Sequence, residues 1–91
     1  MRFTWDPKKR EQNLIDHGYD FADAEEVFGG TTYTYEDDRM AYYEQRFITL
    51  GFFRGDVVSI CHTETEDEIH VISFRRATKR EEEILFKAIA G

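Results

Sequence analysis

The chain has 91 residues, 41% hydrophobic and 15% aromatic, with a formal net charge of −7 at pH 7. This length builds one small core rather than two, and the aromatic content argues against a disordered chain. No apolar run of about 18 residues is present to span a bilayer, and the acidic balance speaks against coating nucleic acid by bulk electrostatics.

Arg2 to Trp5 reads as a short strand. Asp6 is a natural N-cap and Pro7 a natural first helical residue, because the N–H that proline lacks would have no partner there. The helix is expected to run to Asp16 or His17 and to stop at Gly18. Its apolar stripe is thin, essentially Leu14 and Ile15. Lys8, Lys9 and Arg10 crowd its first turn, where the macrodipole prefers anions, which hints that the cluster serves binding. Asp20 caps a second short helix with Phe21, Ala24 and Phe28 on one face, and Gly29-Gly30 ends it.

The hydrophobic period then changes to two. Four antiparallel strands are expected over residues 31–35, 43–53, 57–62 and 69–74, the second carrying Arg46, Ile48 and Leu50 on one face. Arg54-Gly55-Asp56 and residues 64–68 read as hairpin turns. Thr78 and Glu81 have the spacing of a capping box, opening a last helix with Ile84, Leu85, Ala88 and Ile89 inward. The predicted fold is α+β, one domain over residues 1–91: a short strand, two helices, a four-stranded antiparallel meander and a C-terminal helix.

Acid collects at residues 36–38, 64–68 and 81–83; base collects at 8–10 and 75–80, with Arg39, Arg46 and Arg54 between. A local basic site on an acidic body is compatible with this pattern, and so is an acidic body that meets a basic partner. The N-terminus is charged where a signal peptide needs an apolar core, so a cytoplasmic protein is the simplest placement. Cys61 is the single cysteine and sits in an apolar strand, which predicts a buried, reduced thiol.

The ordered set of motifs resembles the BrnT family, the toxin half of a bacterial type II toxin–antitoxin pair. The resemblance rests on Trp5-Asp6, Lys9, Asn13, His17-Gly18, Phe21, Ala24 and Phe28, on Arg46 with Gly51, and on Ile72-Ser73, Arg75, Ala77-Thr78 and Arg80-Glu81. It implies a RelE-like fold and an RNA-cleaving, translation-blocking activity that uses no metal or other cofactor. It also implies a BrnA-like ribbon-helix-helix antitoxin as partner, with operator DNA reached only through that antitoxin. The same resemblance allows a catalytically weak or inactive module that binds its antitoxin and takes part in operon autoregulation. Three positions where the family commonly carries a cation hold Asp16, Thr65 and the His70 segment here. Outside the family, the pattern also suits a plain α+β interaction domain.

Metal-free RNA cleavage attacks the phosphorus with the adjacent 2′-OH. It needs a proton acceptor, a proton donor for the leaving 5′ oxygen, and cations on the phosphoryl oxygens. Arginine suits the last role because its planar fork binds two oxygens and stays charged. Arg46 and Arg75 match family positions and are the candidates; their bland alternative is surface pairing with carboxylates. His17 is the candidate acid or base, against the alternative of binding the last carbonyls of its helix. RNA-binding candidates are Lys9, Arg39, Arg76, Lys79 and Arg80, the last three close to a helix start that itself attracts anions. Glu81 reads as a helix cap rather than a catalytic base. Phe52-Phe53 and Tyr42-Tyr43 can stack bases, though core packing or an antitoxin interface is the plainer use. His62, His70, Cys61 and His17 lack zinc-ligand spacing, so no metal site is predicted.

Overall fold

A computed structural model describes residues 1–39, 41 and 43–91; Tyr42 of the predicted stacking pair lies outside them. The elements are β1 (Arg2–Thr4), α1 (Pro7–His17), a 3₁₀ turn (Phe21–Asp23), α2 (Ala24–Phe28), β2 (Tyr33–Glu36), β3 (Phe47–Phe53), β4 (Asp56–Glu64), β5 (Glu68–Arg76) and α3 (Lys79–Ala90). The sheet order is β1-β5-β4-β3-β2. The expected antiparallel meander is present, and the first strand joins it parallel to β5, with Phe3 opposite Ile69. No described helix is long and apolar enough to cross a membrane.

Local chemistry explains the helix ends. The Asp6 carboxylate accepts the Lys8 N–H at 2.9 Å, and Gly18, at φ 78°, donates its N–H to the Leu14 carbonyl at 2.9 Å. Asp20 caps through the Ala22 N–H, but the first turn behind it is 3₁₀, so the second predicted helix splits into that turn and α2. Arg54 and Gly55 both take positive φ, 47° and 91°, in the two-residue turn that joins β3 to β4.

The core lies on both faces of the sheet. On one face Phe53, Val58, Ile60, Val71 and Phe74 pack beneath Phe21, Ala24 and Val27, with Trp5 and Phe28 at the margin. Gly51 permits this approach: a Cβ there would stand 2.8 Å from Val27 Cγ1. On the other face Ile48, Leu50 and Cys61 pack beneath Leu85, flanked by Tyr35, Ile72 and Ile84. The β4–β5 register slips by one residue between Cys61 and His62, which pair with Ser73 and Val71 respectively. Ile72 is therefore the extra residue of a β-bulge.

Several expectations need correction. The α1 stripe is not Leu14 and Ile15, which are exposed; the buried residue is Asn13. Its amide nitrogen donates to the Phe74 and Tyr19 carbonyls at 2.8 and 3.0 Å, and its oxygen accepts the Phe74 N–H at 3.2 Å. A helical side chain thus completes the edge of β5 beyond the point where β1 ends. In α3 only Leu85 is buried and Ile84 partly so, while Ala88 and Ile89 are exposed. Arg46 precedes β3 rather than lying in it, although its carbonyl accepts the Asp37 N–H at 2.8 Å and continues the ladder.

His62 and His70 do not share a face. His70 Nδ1 meets Thr4 Oγ1 at 2.9 Å on the β1 side. His62 is 1% exposed, held between the rings of Phe28 and Phe47, with Nε2 2.7 Å from Thr49 Oγ1. Burial pushes its pKa down from 6.5 to about 4. Below pH 6.5 the unfolded chain therefore takes up a proton that the folded chain refuses until about pH 4. Stability from this group is complete above pH 6.5 and falls with pH, reaching a loss of about 3 kcal/mol below pH 4. Urea unfolding followed from pH 7 to 4.5 should show this slope, and His62→Gln should flatten it.

Candidate functional site

A cavity of about 300 Å³ opens between β2, the segment that follows it, the end of β5 and the start of α3. Ile48 and Ile84 line its apolar part; Tyr35, Arg39, Arg75, Arg80 and Glu81 supply its chemistry. Strand pairing brings these groups together. Tyr35 stands opposite Ile48, and Leu50, Ser59 and Arg75 face one another across three adjacent strands. The Thr78–Glu81 capping box then seats the first turn of α3 against Arg75.

Each guanidinium is placed differently. Arg75 meets the Glu81 carboxylate through both terminal nitrogens, at 2.8 and 3.0 Å. Arg39 meets Asp37 in the same two-pronged way, at 2.7 and 2.9 Å, and the Asp37 side chain is fully buried while Arg39 is mostly exposed. Arg80 is exposed and makes no ion pair with any described residue. Arg46 pairs with Glu44 at 3.1 Å and lines an adjoining hollow of about 380 Å³, which shares Glu36, Asp37 and Asp38 with the first. The two predicted catalytic arginines are thus on neighbouring walls rather than in one pocket.

The thiol of Cys61 reports the same convergence from beneath. Burial and the Asp37 charge push its pKa up, and Arg46, Arg39 and Arg75 all pull it down. Three guanidiniums therefore lie within electrostatic reach of one sulfur. Tyr35 is raised as well, first by burial and then by the Glu81 charge, so its hydroxyl stays protonated.

The remaining predicted site residues lie apart. His17 and Lys9 line a separate hollow of about 180 Å³ with Gln12, Asn13, Asp16 and Ile72. Arg76 pairs with Asp56 at 3.2 Å, and its register partner is Val58, which packs beneath the two N-terminal helices. Lys79 is exposed at the start of α3 and does not line the cavity. Among the described residues no three His, Cys, Asp or Glu side chains are grouped to hold a metal ion. Phe53 is core, whereas Phe52 is half exposed against Phe86, with ring centroids 6.3 Å apart.

Tyr35 and Asp37 also line the cavity, although neither was among the predicted site residues. The alternation that places Ile48 and Leu50 on one face extends to Tyr35 once the β2–β3 register is known, and that register was the missing signal. Glu81 was legible as a cap, and its spacing from Thr78 accounted for it fully; nothing local announced its bond to Arg75.

Fold and cavity together define a class: a small α+β protein that presents one sheet-borne arginine, paired to a carboxylate, beside the start of its last helix. The family model described as the ribonuclease toxin BrnT of type II toxin–antitoxin systems matches residues 5–81. The chain belongs to that family. It is similar to the crystal structure of the Brucella abortus ribonuclease toxin BrnT, with a TM-score of 0.64 at 26% identity over 87% of this chain and 99% of that one. No curated protein sequence matches it.

Proposed function

We propose that the chain is an endoribonuclease toxin that cuts RNA without a metal and so arrests translation. Its partner in this reading is a BrnA-like ribbon-helix-helix antitoxin, through which alone the complex reaches operator DNA. The observation that supports it best is the cavity that Arg75, Arg39 and Arg80 line together. A phosphodiester placed there has its oxygens on Arg75 and Arg80. The 2′-OH attacks phosphorus and the bond to the 5′ oxygen breaks, giving a 2′,3′-cyclic phosphate and a 5′-hydroxyl. Glu36 and Asp38 on the same wall are the acceptors at hand for the 2′-OH proton, and the protonated Tyr35 hydroxyl is the donor for the leaving oxygen. Arg46 contacts a neighbouring phosphate from the adjoining hollow, and Lys9 and His17 contact RNA away from the reacting atoms.

Asp16, Thr65 and His70, which stand where the family commonly has cations, do not line the Arg75 cavity. Their loss weakens outlying phosphate contacts, each of which contributes through released counterions, and leaves the reacting centre intact. One observation favours a second reading. The cavity sets four carboxylates, Glu36, Asp37, Asp38 and Glu81, against three arginines, a balance that suits an antitoxin-binding module with little cleavage.

Induction of the chain in a bacterial host, with RNA integrity measured alongside, separates the two. The ribonuclease reading expects growth arrest, RNA fragments ending in 2′,3′-cyclic phosphate, EDTA-insensitive cleavage by the purified chain, and relief by the co-encoded antitoxin. Undisturbed growth with intact RNA, alongside tight antitoxin binding, selects the second.

A further inference from the structure

Glu81 does more than a helix cap requires. Its backbone N–H donates to Thr78 Oγ1 at 3.2 Å and its Oε1 accepts the Thr78 N–H at 2.9 Å, which completes the capping box. The same carboxylate also takes both terminal nitrogens of Arg75, and its Oε2 takes the Ser59 hydroxyl at 3.3 Å. Four donors therefore converge on two oxygens. A carboxylate so engaged is a poor proton acceptor and a firm anchor. Burial pulls the carboxyl pKa up, but the bonds from Arg75 and Thr78 outweigh burial and hold it below the ordinary carboxylate range.

A guanidinium carries five N–H donors. Arg75 spends one from each terminal nitrogen on Glu81, and the second of Nη1 on the Arg76 carbonyl at 3.1 Å. The Nε–H and the second proton of Nη2 remain, with no acceptor among the described residues. These two lie along one edge of the guanidinium plane, at the spacing that grips two phosphate oxygens. Both terminal nitrogens are turned toward Glu81, so that carboxylate sets the orientation of the remaining edge.

We infer that Glu81 is a positioning residue: it holds the guanidinium plane of Arg75 so that the Nε–Nη2 edge is offered to the cavity as a two-pronged grip for one phosphodiester. This rests on the ribonuclease reading and adds to it the way the cation is aimed. The long arginine side chain gives up its rotamer freedom on folding rather than on RNA binding, which preorganises the site.

Glu81→Gln is the variant that tests it, because glutamine also completes a capping box and the helix start is kept. Thermal melting of the variant confirms the fold. Single-turnover cleavage of a single-stranded RNA oligonucleotide should slow roughly 10- to 100-fold, the scale of a misplaced reacting group, with KM changed less than kcat. In an Arg75→Ala background the same substitution should change nothing further, since Glu81 acts only through Arg75. Cleavage by Glu81→Gln at or above the parent rate overturns the inference and makes Glu81 a mask over Arg75. An equal slowing with and without Arg75 overturns it too, by giving Glu81 a role of its own. A parent chain that cleaves no RNA overturns the ribonuclease reading, and the inference falls with it.

Discussion

Arg75→Ala should lower the rate of RNA cleavage roughly 10²- to 10³-fold, the usual cost of removing one preorganised donor from a developing oxyanion. The expectation comes from where the side chain sits. Arg75 is anchored near the end of β5 by Glu81 and borders open space on the cavity side. An arginine held in this way has little reorganisation left to do when charge builds on the phosphoryl oxygens. Arg75→Lys should recover little of the loss, because an ammonium is a point charge and cannot span two oxygens. Loss of growth arrest on induction, with antitoxin binding retained, is the cellular counterpart. Rates within threefold of the parent would remove Arg75 from the reacting centre.

Asn13→Ala should lower the free energy of unfolding by roughly 2–4 kcal/mol, from one buried amide. Asn13 is 7% exposed and makes three hydrogen bonds, two of them to the N–H and carbonyl of Phe74. Alanine leaves both Phe74 groups buried and unpaired at the edge of β5, together with the Tyr19 carbonyl. Urea unfolding with an unchanged slope and a lower midpoint is the expected signature. Phe74 precedes Arg75, so cleavage should weaken alongside stability. Asn13→Asp is no rescue: its carboxylate suits the Phe74 N–H but meets two carbonyls where an N–H donor stood.

The legible parts of this fold were those with local causes. Asp6-Pro7, Gly18 and the Thr78–Glu81 pair each satisfy backbone groups within one turn of themselves, so their spacing alone predicts the helix ends. The four strands of the meander were readable from alternation. What failed needed contacts far along the chain. Leu14 and Ile15 look inward by hydropathy, yet α1 docks through an asparagine whose partner is 61 residues away. Ala88 and Ile89 continue an apolar stripe by spacing, yet both are exposed. Arg75 and Arg76 are adjacent and equally basic; the family resemblance singles out Arg75, and pleating shows that the two lie on opposite faces of the sheet. The candidate site was half legible for the same reason. Its cations could be proposed from chemistry, and their carboxylate partners lie only two to six residues away, but the cavity that Tyr35 and Arg75 share and the separation of His17 from Arg75 depend on how the strands pair.

The single inserted residue at Ile72 governs that register. Ile69, Val71 and Phe74 all pack with the helix-covered core, a spacing of two and then three. Strict alternation from Val71 would have carried Ser73 and then Arg75 into that apolar layer. The insertion reverses parity, seats Phe74 inside, and delivers the next guanidinium to the open side. Straightening the bulge with that residue retained would exchange the two, burying a charge where an aromatic ring belongs, whereas removing the extra residue keeps Phe74 inward; the position of the reactive cation therefore depends on one residue being absorbed outside the ladder.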